Sequence, residues 1–315
     1  MRLYRTSLFL CLTALLGGCQ DTDVSEDQRQ QVPIELRAVA PGLFAQTKAA
    51  AGSSFKTSVF CSTRKGDYAG LGEEIAGKRK EYEWSENTEV VSTKPEGMGD
   101  VTLTNKYYPR YGDNVYLVAV SPQKEDANKD GTLSYTLTGK EDLMYAAEIS
   151  GNRWEVSRLG SLTYVHLLTQ LIFKAKKHEA GGLDVKVTKI TVKNVPATVS
   201  LPLATGEATF SGTSIVEHSI SDATVKSAET PTDLGCLYLP PLPKAGDAKI
   251  TIETSIGTFS DVSVTMSGTK PEDNFQAGVS HEITLDIHDK ALGISSVEVS
   301  EWNSTYVDGS LDLID

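Results

Sequence analysis

The sequence predicts an all-β protein of the β-sandwich class, and three observations carry that prediction. Apolar residues recur at every second position along short segments, which places them on one face of a strand. Turn signals rich in Gly separate these segments, among them "KDG" at 129–131, "AGG" at 180–182 and "KAGD" at 244–247. Helical periodicity is sparse; its best instance is the short run "EDLMYAAEI" from Glu141 to Ile149. Many short strands with this punctuation pack as layered sheets around a shared core.

The chain opens on Met1, Arg2 and Arg5, followed by the apolar run from Leu8 to Leu16. A basic start and a short apolar stretch read as a secretory signal, too short for the roughly 20 apolar residues that span a bilayer. The run Leu16-Gly17-Gly18-Cys19 is similar to the bacterial lipoprotein signal, in which the cysteine thiol is lipidated and becomes the first residue of the mature chain. An ordinary signal with a chance cysteine is the competing reading. Residues 1–18 are therefore expected to be removed and Cys19 to carry the lipid. The tract after it, "QDTDVSEDQRQQ", has one aliphatic residue and no aromatic, so residues 19–31 are expected to form a flexible linker.

Nearly 300 residues follow, enough for two domains with ample cores. A boundary is expected near residue 160, at "SRLGS", giving domains over 32–160 and 161–315. The formal charge is −12, and it becomes −14 when Arg2 and Arg5 leave with the signal. An acidic chain of this kind argues against a nucleic-acid partner. Cys61 and Cys236 stand far apart in different halves, without metal-ligand spacing, and read as free thiols.

The first strand after the linker is "VPIELRAVA", with Val32, Ile34 and Leu36 on one face. Further alternation is carried by Leu133, Tyr135 and Leu137; by Leu183, Val185 and Val187; by Ile250 and Ile252; by Val262, Val264 and Met266; and by Ile283, Leu285 and Ile287. The apolar segment "LTYVHLLTQLIFKAKK" from Leu162 to Lys177 fits a buried strand or a helix equally. The chain ends on "YVDGSLDLID", where Val307, Leu311 and Leu313 again share one face. Either terminal trio buries enough apolar surface to contribute on the order of 5 to 9 kcal/mol, at about 1.5 to 3 per side chain.

Candidate chemistry is thin. His166 sits in the most apolar segment with no nucleophile or acid near it in sequence, and reads as a core histidine satisfied by a backbone group. "HEITLDIH" spaces its histidines seven apart, and the alternation of Ile283, Leu285 and Ile287 makes it a strand with His281 and His288 on opposite faces. "DANKDGTLS" offers oxygens at Asp126, Asn128 and Asp130 before Gly131, the first half of a calcium loop. Leu137 occupies the position that requires a bidentate glutamate, so the segment reads as a hairpin turn. No GxSxG elbow, P-loop or Cys-His pair is present. The sequence thus predicts no catalytic residue, no metal site and no cofactor.

Several stretches together carry a resemblance: the lipoprotein-type signal, "TKA" (Thr47 to Ala49) before "FKTSVF", "VYLVAVSP" (Val115 to Pro122), "DLMYA" (Asp142 to Ala146), "YVHLLTQLIFKAK" and the closing "SSVEVSEW" and "GSLDLID". Their order and spacing resemble the fimbrillin-like proteins of Bacteroidetes, the Mfa-like or FimA-like pilins of type V pili. The resemblance implies two tandem transthyretin-like β-sandwich domains and a surface fimbria assembled from lipoprotein precursors held in the outer membrane through Cys19. It further implies that a trypsin-like or arginine-specific protease removes the first strand and that a neighbouring subunit's C-terminal strand takes its place. Other fimbrial subunits would then be the partners. Val32, Ile34 and Leu36 would be displaced, and Val307, Leu311 and Leu313 would be donated.

Two bonds qualify for the cut. Arg37–Ala38 lies inside the alternating strand, where pairing shields it, whereas Lys48–Ala49 lies in the small, polar context "AQTKAAAGSS", the kind of tip where nicking concentrates. Lys48–Ala49 is favoured, although lysine departs from the family's usual arginine. A host or bacterial surface glycan or protein would be a further partner, and the rival function is a lipid-anchored cell-surface glycan-binding protein that never polymerises. Its signature would be exposed aromatics, for which Tyr107, Tyr108 and Tyr111 in "NKYYPRYGDN" are the candidates.

Overall fold

The computed structural model describes residues 30–40, 54–71, 74–75, 78–79, 81–94, 98–124, 127–156, 159–179, 183–243, 249–263, 274–288 and 292–301. The first ten strands are β1 (Leu36–Val39), β2 (Ser54–Ser62), β3 (Glu74–Ile75), β4 (Lys78–Arg79), β5 (Trp84–Lys94), β6 (Met98–Val101), β7 (Val115–Ser121), β8 (Thr132–Thr136), β9 (Met144–Gly151) and β10 (Leu162–His166). The second ten are β11 (Thr169–Lys177), β12 (Val185–Val195), β13 (Thr198–Pro202), β14 (Thr209–Ser211), β15 (Ser214–Val225), β16 (Thr232–Leu239), β17 (Lys249–Thr254), β18 (Gly257–Ser263), β19 (Val279–Ile287) and β20 (Leu292–Glu301). Among the described residues there is no α-helix, and the chain is all-β.

Seven strands of the first half close into a barrel in the order β1-β10-β9-β7-β2-β5-β6. Its interior is filled by alternate side chains of each strand, including Val59, Val90, Leu117, Met144, Leu162 and Tyr164. The phenol of Tyr164 there is satisfied. Thr57 Oγ1 donates to the Val120 carbonyl at 2.6 Å, so the Tyr164 hydroxyl, also 2.6 Å from Thr57 Oγ1, is the donor between the two.

The opposite face of part of this barrel is covered as well. Phe60, Val118, Val120, Leu143 and Tyr145 pack against Leu133, Val199 and Leu201 of a three-stranded sheet ordered β14-β13-β8. Strands buried on both faces become near-continuous apolar runs, which is why β7 reads "VYLVAVS" with little alternation. The second half stacks two four-stranded sheets, β16-β11-β19-β20 and β15-β12-β17-β18, on a core built from Phe173, Val187, Ile190, Leu237, Ile252 and Leu285 among others.

Several expectations are corrected. The helical signal at Glu141 to Ile149 is instead the approach to β9 and most of that strand. Met144 and Ala146 face the barrel interior while Leu143 and Tyr145 face the second cluster, so double burial imitates a helical pattern. Glu141 belongs to a turn, its carboxylate accepting from the Thr138 amide at 2.9 Å. The ambiguous segment from Leu162 to Lys177 resolves into two strands, β10 and β11. Leu183 lies before β12 and is 77% exposed, so its alternation with Val185 does not place it in the core. Val264 and Met266 lie outside the described residues. The turn before β8 has Gly131 at φ +77°, where glycine carries no Cβ penalty, and the Thr132 amide donates to Asp130 Oδ1 at 3.0 Å. It is not a hairpin, because β8 pairs with β13 rather than with β7. The changeover from barrel to sandwich lies between His166 and Thr169, so the strand after residue 160 still closes the barrel.

Candidate functional site: the first strand and its groove

The first strand closes the barrel and is held differently on its two sides. Against β6 it runs antiparallel, pairing Leu36 with Val101, Arg37 with Asp100, Ala38 with Gly99 and Val39 with Met98. The ladder continues toward the N terminus, where the Ile34 amide donates to the Lys106 carbonyl at 2.9 Å and the Tyr108 amide donates to the Val32 carbonyl at 3.0 Å. Against β10 it runs parallel and meets only at Ala38 with Leu162 and Val39 with Thr163. Upstream of that short seam, residues 32–37 border a cleft of about 950 Å³ whose other wall includes Val156, Leu159, Gly160 and Ser161.

The alternation read in the sequence is realised. Ile34, Leu36, Ala38 and Ala40 point into the barrel core and are buried, while Val32 is half-buried at its entrance. Ala38 and Ala40 extend the buried face beyond the predicted trio, a continuation that their small size hid from a reading based on large aliphatics. Gly99 is needed opposite Ala38. A Cβ there would approach Val90 Cγ1 and the Val91 carbonyl oxygen at 2.7 Å, so glycine lets β5 and β6 approach closely beside the first strand. Tyr108 roofs the same region, its hydroxyl buried without a partner and its pKa pushed up to about 12 by burial.

Arg37 projects its side chain to solvent, yet its backbone lies in the ladder with β6 and adjoins the seam with β10. Cys19, Lys48, Ala49, Val307, Leu311 and Leu313 lie outside the described residues. Cys61 is a free, buried thiol whose pKa burial raises, and Cys236 is free in β16.

The three tyrosines of "NKYYPRYGDN" do not form one platform. Tyr108 belongs to the barrel core, whereas Tyr111 is 82% exposed. Beside Tyr111 lies a residue the sequence reading missed, Trp154, 55% exposed, with the Arg153 guanidinium 4.7 Å from its ring centroid. Its indole lies against Gly112, where an added Cβ would come within 2.0 Å of Nε1. A hollow of about 760 Å³ is lined there by Tyr82, Arg110, Tyr111, Asp113, Asn114 and Tyr116.

The histidines follow their surroundings. His166 is buried, with Nδ1 2.9 Å from Asp142 Oδ1, so a carboxylate 24 residues away is one of its partners. His281 points inward from β19, and His288 follows that strand on the other face, as parity requires.

Fold and groove define an all-β protein of joined barrel and sandwich whose first strand is a stave contributed from its N-terminal end. The family model described as fimbrillin-like matches residues 67–302, and the chain belongs to that family. The match begins beyond β1. Solved structures share the fold. A candidate cell adhesion protein of Bacteroides uniformis is 15% identical, with a TM-score of 0.55, over 85% of this chain and 98% of its own. One of Bacteroides ovatus is 17% identical, with a TM-score of 0.56, over 87% and 99%. The sequence has no significant match among curated proteins.

Proposed function

We propose that the chain is a subunit of a surface fimbria, made as a lipoprotein anchored in the outer membrane through Cys19, matured by proteolysis and polymerised by donor-strand exchange. Membership of the fimbrillin-like family supports the fimbrial role. The observation that carries strand exchange is the first strand itself. It completes a barrel core with Ile34, Leu36, Ala38 and Ala40, yet its parallel seam to β10 has only two register positions. Its removal would leave the edge of β6 unpaired above an apolar trough, which is the template that β-augmentation uses. Val307, Leu311 and Leu313 of a neighbouring copy have the alternation to refill it.

Lys48–Ala49 is the favoured cleavage site, because hydrolysis there releases the whole strand. A cut at Arg37–Ala38 would leave Ala38 and Ala40 in place and would have to reach a paired backbone. The assembled fimbria would present its subunits to other bacterial or host surfaces.

The test is a paired measurement on Leu311→Arg. A charge placed in a buried apolar trough costs several kcal/mol even after relaxation. SDS-resistant ladders after trypsin treatment are therefore expected to disappear, while monomer melting changes by less than about 0.5 kcal/mol, as for a surface position. Ladders that persist, or a monomer that loses stability, would show that this strand is not the donor.

A second reading is favoured by one observation, the exposed ring of Tyr111 on a hollow lined with further tyrosines, Arg110 and Asp113, with exposed Trp154 against neighbouring Gly112. Exposed aromatics with neighbouring hydrogen-bonding groups suit a sugar face. Loss of glycan binding in Tyr111→Ala and Trp154→Ala, with ladders intact, would assign adhesion to this pole. Glycan binding by a chain that never forms ladders would replace the fimbrial reading.

A further inference from the structure

We propose that His178, Asp286 and His288 form a binding site for a divalent late-transition metal ion of the zinc type. The three side chains come from two strands paired in parallel. β11 and β19 keep an unbroken register from Gln170 with Ser280 to Lys177 with Ile287. The register puts His178, one residue past the end of β11, beside His288, one residue past the end of β19, and the His178 amide donates to the Ile287 carbonyl at 3.0 Å. Asp286 and His288 are two apart and therefore share the outer face of that sheet. The "HEITLDIH" motif thus contributes its second histidine and its aspartate, while its first histidine faces the core.

The geometry is that of a ligand set. The imidazole rings of His178 and His288 stack with centroids 3.7 Å apart and planes 27° from parallel. His178 Nδ1 lies 3.0 Å from Asp286 Oδ2. One donor atom from each of the three residues lies within 4.8 Å of the others. Ligand atoms around a tetrahedral zinc ion, with bonds of about 2.0 to 2.2 Å, sit roughly 3.3 Å apart. Small side-chain rotations at the ends of two strands are enough to close that difference.

A second observation points the same way. The other carboxylate oxygen, Asp286 Oδ1, is buried and has no hydrogen-bond partner among the described residues. A buried acceptor left unpaired is costly, and a cation bound by this carboxylate would offset that cost. Imidazole with carboxylate is a donor set for Zn²⁺, Ni²⁺ and Cu²⁺ rather than for Ca²⁺, which seeks oxygen. Of the two lysines on this face, Lys174 is paired with Glu282 at 2.7 Å, and Lys176 stands opposite Asp286 in the register. Three protein ligands leave a fourth position for water or for a donor from another molecule. A bound ion would also clamp β11 to β19, tying together positions far apart in the chain.

The test uses the full chain without an affinity tag, so that no added histidines compete. Titration with ZnCl₂ is expected to show one ion per chain and a raised melting temperature that a chelator reverses. Co²⁺ should give the visible absorption of low-symmetry nitrogen and oxygen coordination. His178→Ala, His288→Ala and Asp286→Asn should each weaken zinc roughly tenfold or more. His218→Asn should not, because His218 binds the Leu234 carbonyl at 2.9 Å elsewhere. A readout independent of variants is protection of His178 and His288 from diethyl pyrocarbonate by zinc, mapped by mass spectrometry. Absence of zinc binding at millimolar concentration, equal competition by calcium, or full affinity in the His178→Ala/His288→Ala double variant would overturn the site.

Discussion

Two buried histidines show how a single residue type takes opposite roles from its neighbours. His166 has a carboxylate 2.9 Å away in Asp142, so the ring is oriented and satisfied. His281 is 1% exposed, has no hydrogen-bond partner at either ring nitrogen among the described residues and meets Phe275 with ring centroids 4.9 Å apart. Burial lowers its pKa from 6.5 to about 4 because the charged form has nothing to solvate it. The folded state therefore excludes a proton that the unfolded state accepts, and stability rises with pH wherever the unfolded chain binds more protons. His281 contributes its full stability above about pH 6.5 and loses it progressively as pH falls toward 4, a loss on the order of 3 kcal/mol. The window lies mostly above the range where carboxylates titrate. His281→Leu is expected to flatten the dependence of urea-unfolding free energy on pH across that window. An unchanged slope in the variant would assign the dependence to other groups.

At the scale of the element, the first strand is both part of the core and a separable piece. Mild trypsin on the unlipidated protein is expected to cut first after Lys48, in its Ala-, Gly- and Ser-rich context, leaving a folded core that begins at Ala49. Stripping the released strand removes Ile34 and Leu36 from the barrel, a loss of about 3 to 6 kcal/mol at 1.5 to 3 per side chain. The melting temperature should fall, and a synthetic peptide of residues 304–315 should raise it again, while the same peptide carrying Leu311→Arg should not. A first cut after Arg37, or a core indifferent to the peptide, would contradict this. The strand was legible in the sequence because Ile34 and Leu36 alternate against solvent-facing Glu35 and Arg37. Its partners were not legible, since the pairings with β6 and β10 are fixed by closure of the barrel and leave no local signal. β9 misled for a physical reason: with Leu143 and Tyr145 on one side and Met144 and Ala146 on the other, alternation vanishes. The juxtaposition of His178 with His288 was hidden in the same way, because a parallel register is a property of two distant segments.

For the whole molecule, the proposed function requires two states of attachment in sequence. A lipid carrying more than one acyl chain anchors firmly, so a precursor lipidated at Cys19 would stay at the membrane while its first strand occupies its own groove. The anchor and that strand lie on the same side of Lys48, and one hydrolysis would therefore free the subunit and vacate the groove together. Blocking that bond is the sharpest way to separate the steps. The Lys48→Ala chain, expressed in its own cell, is expected to remain entirely with the membrane fraction, to carry lipid at Cys19 and to form no SDS-resistant ladders. Its melting should match the parent within about 0.5 kcal/mol, the usual effect of a substitution outside a packed core. Arg37→Ala should assemble like the parent, because its backbone is already committed to the ladder with β6. If the two variants exchange outcomes, cleavage belongs to Arg37–Ala38. If both still form ladders, assembly does not depend on removing this strand and the exchange mechanism is wrong. The control is Cys19→Ser, which should leave the membrane without cleavage; its retention there would show that something other than lipid holds the precursor.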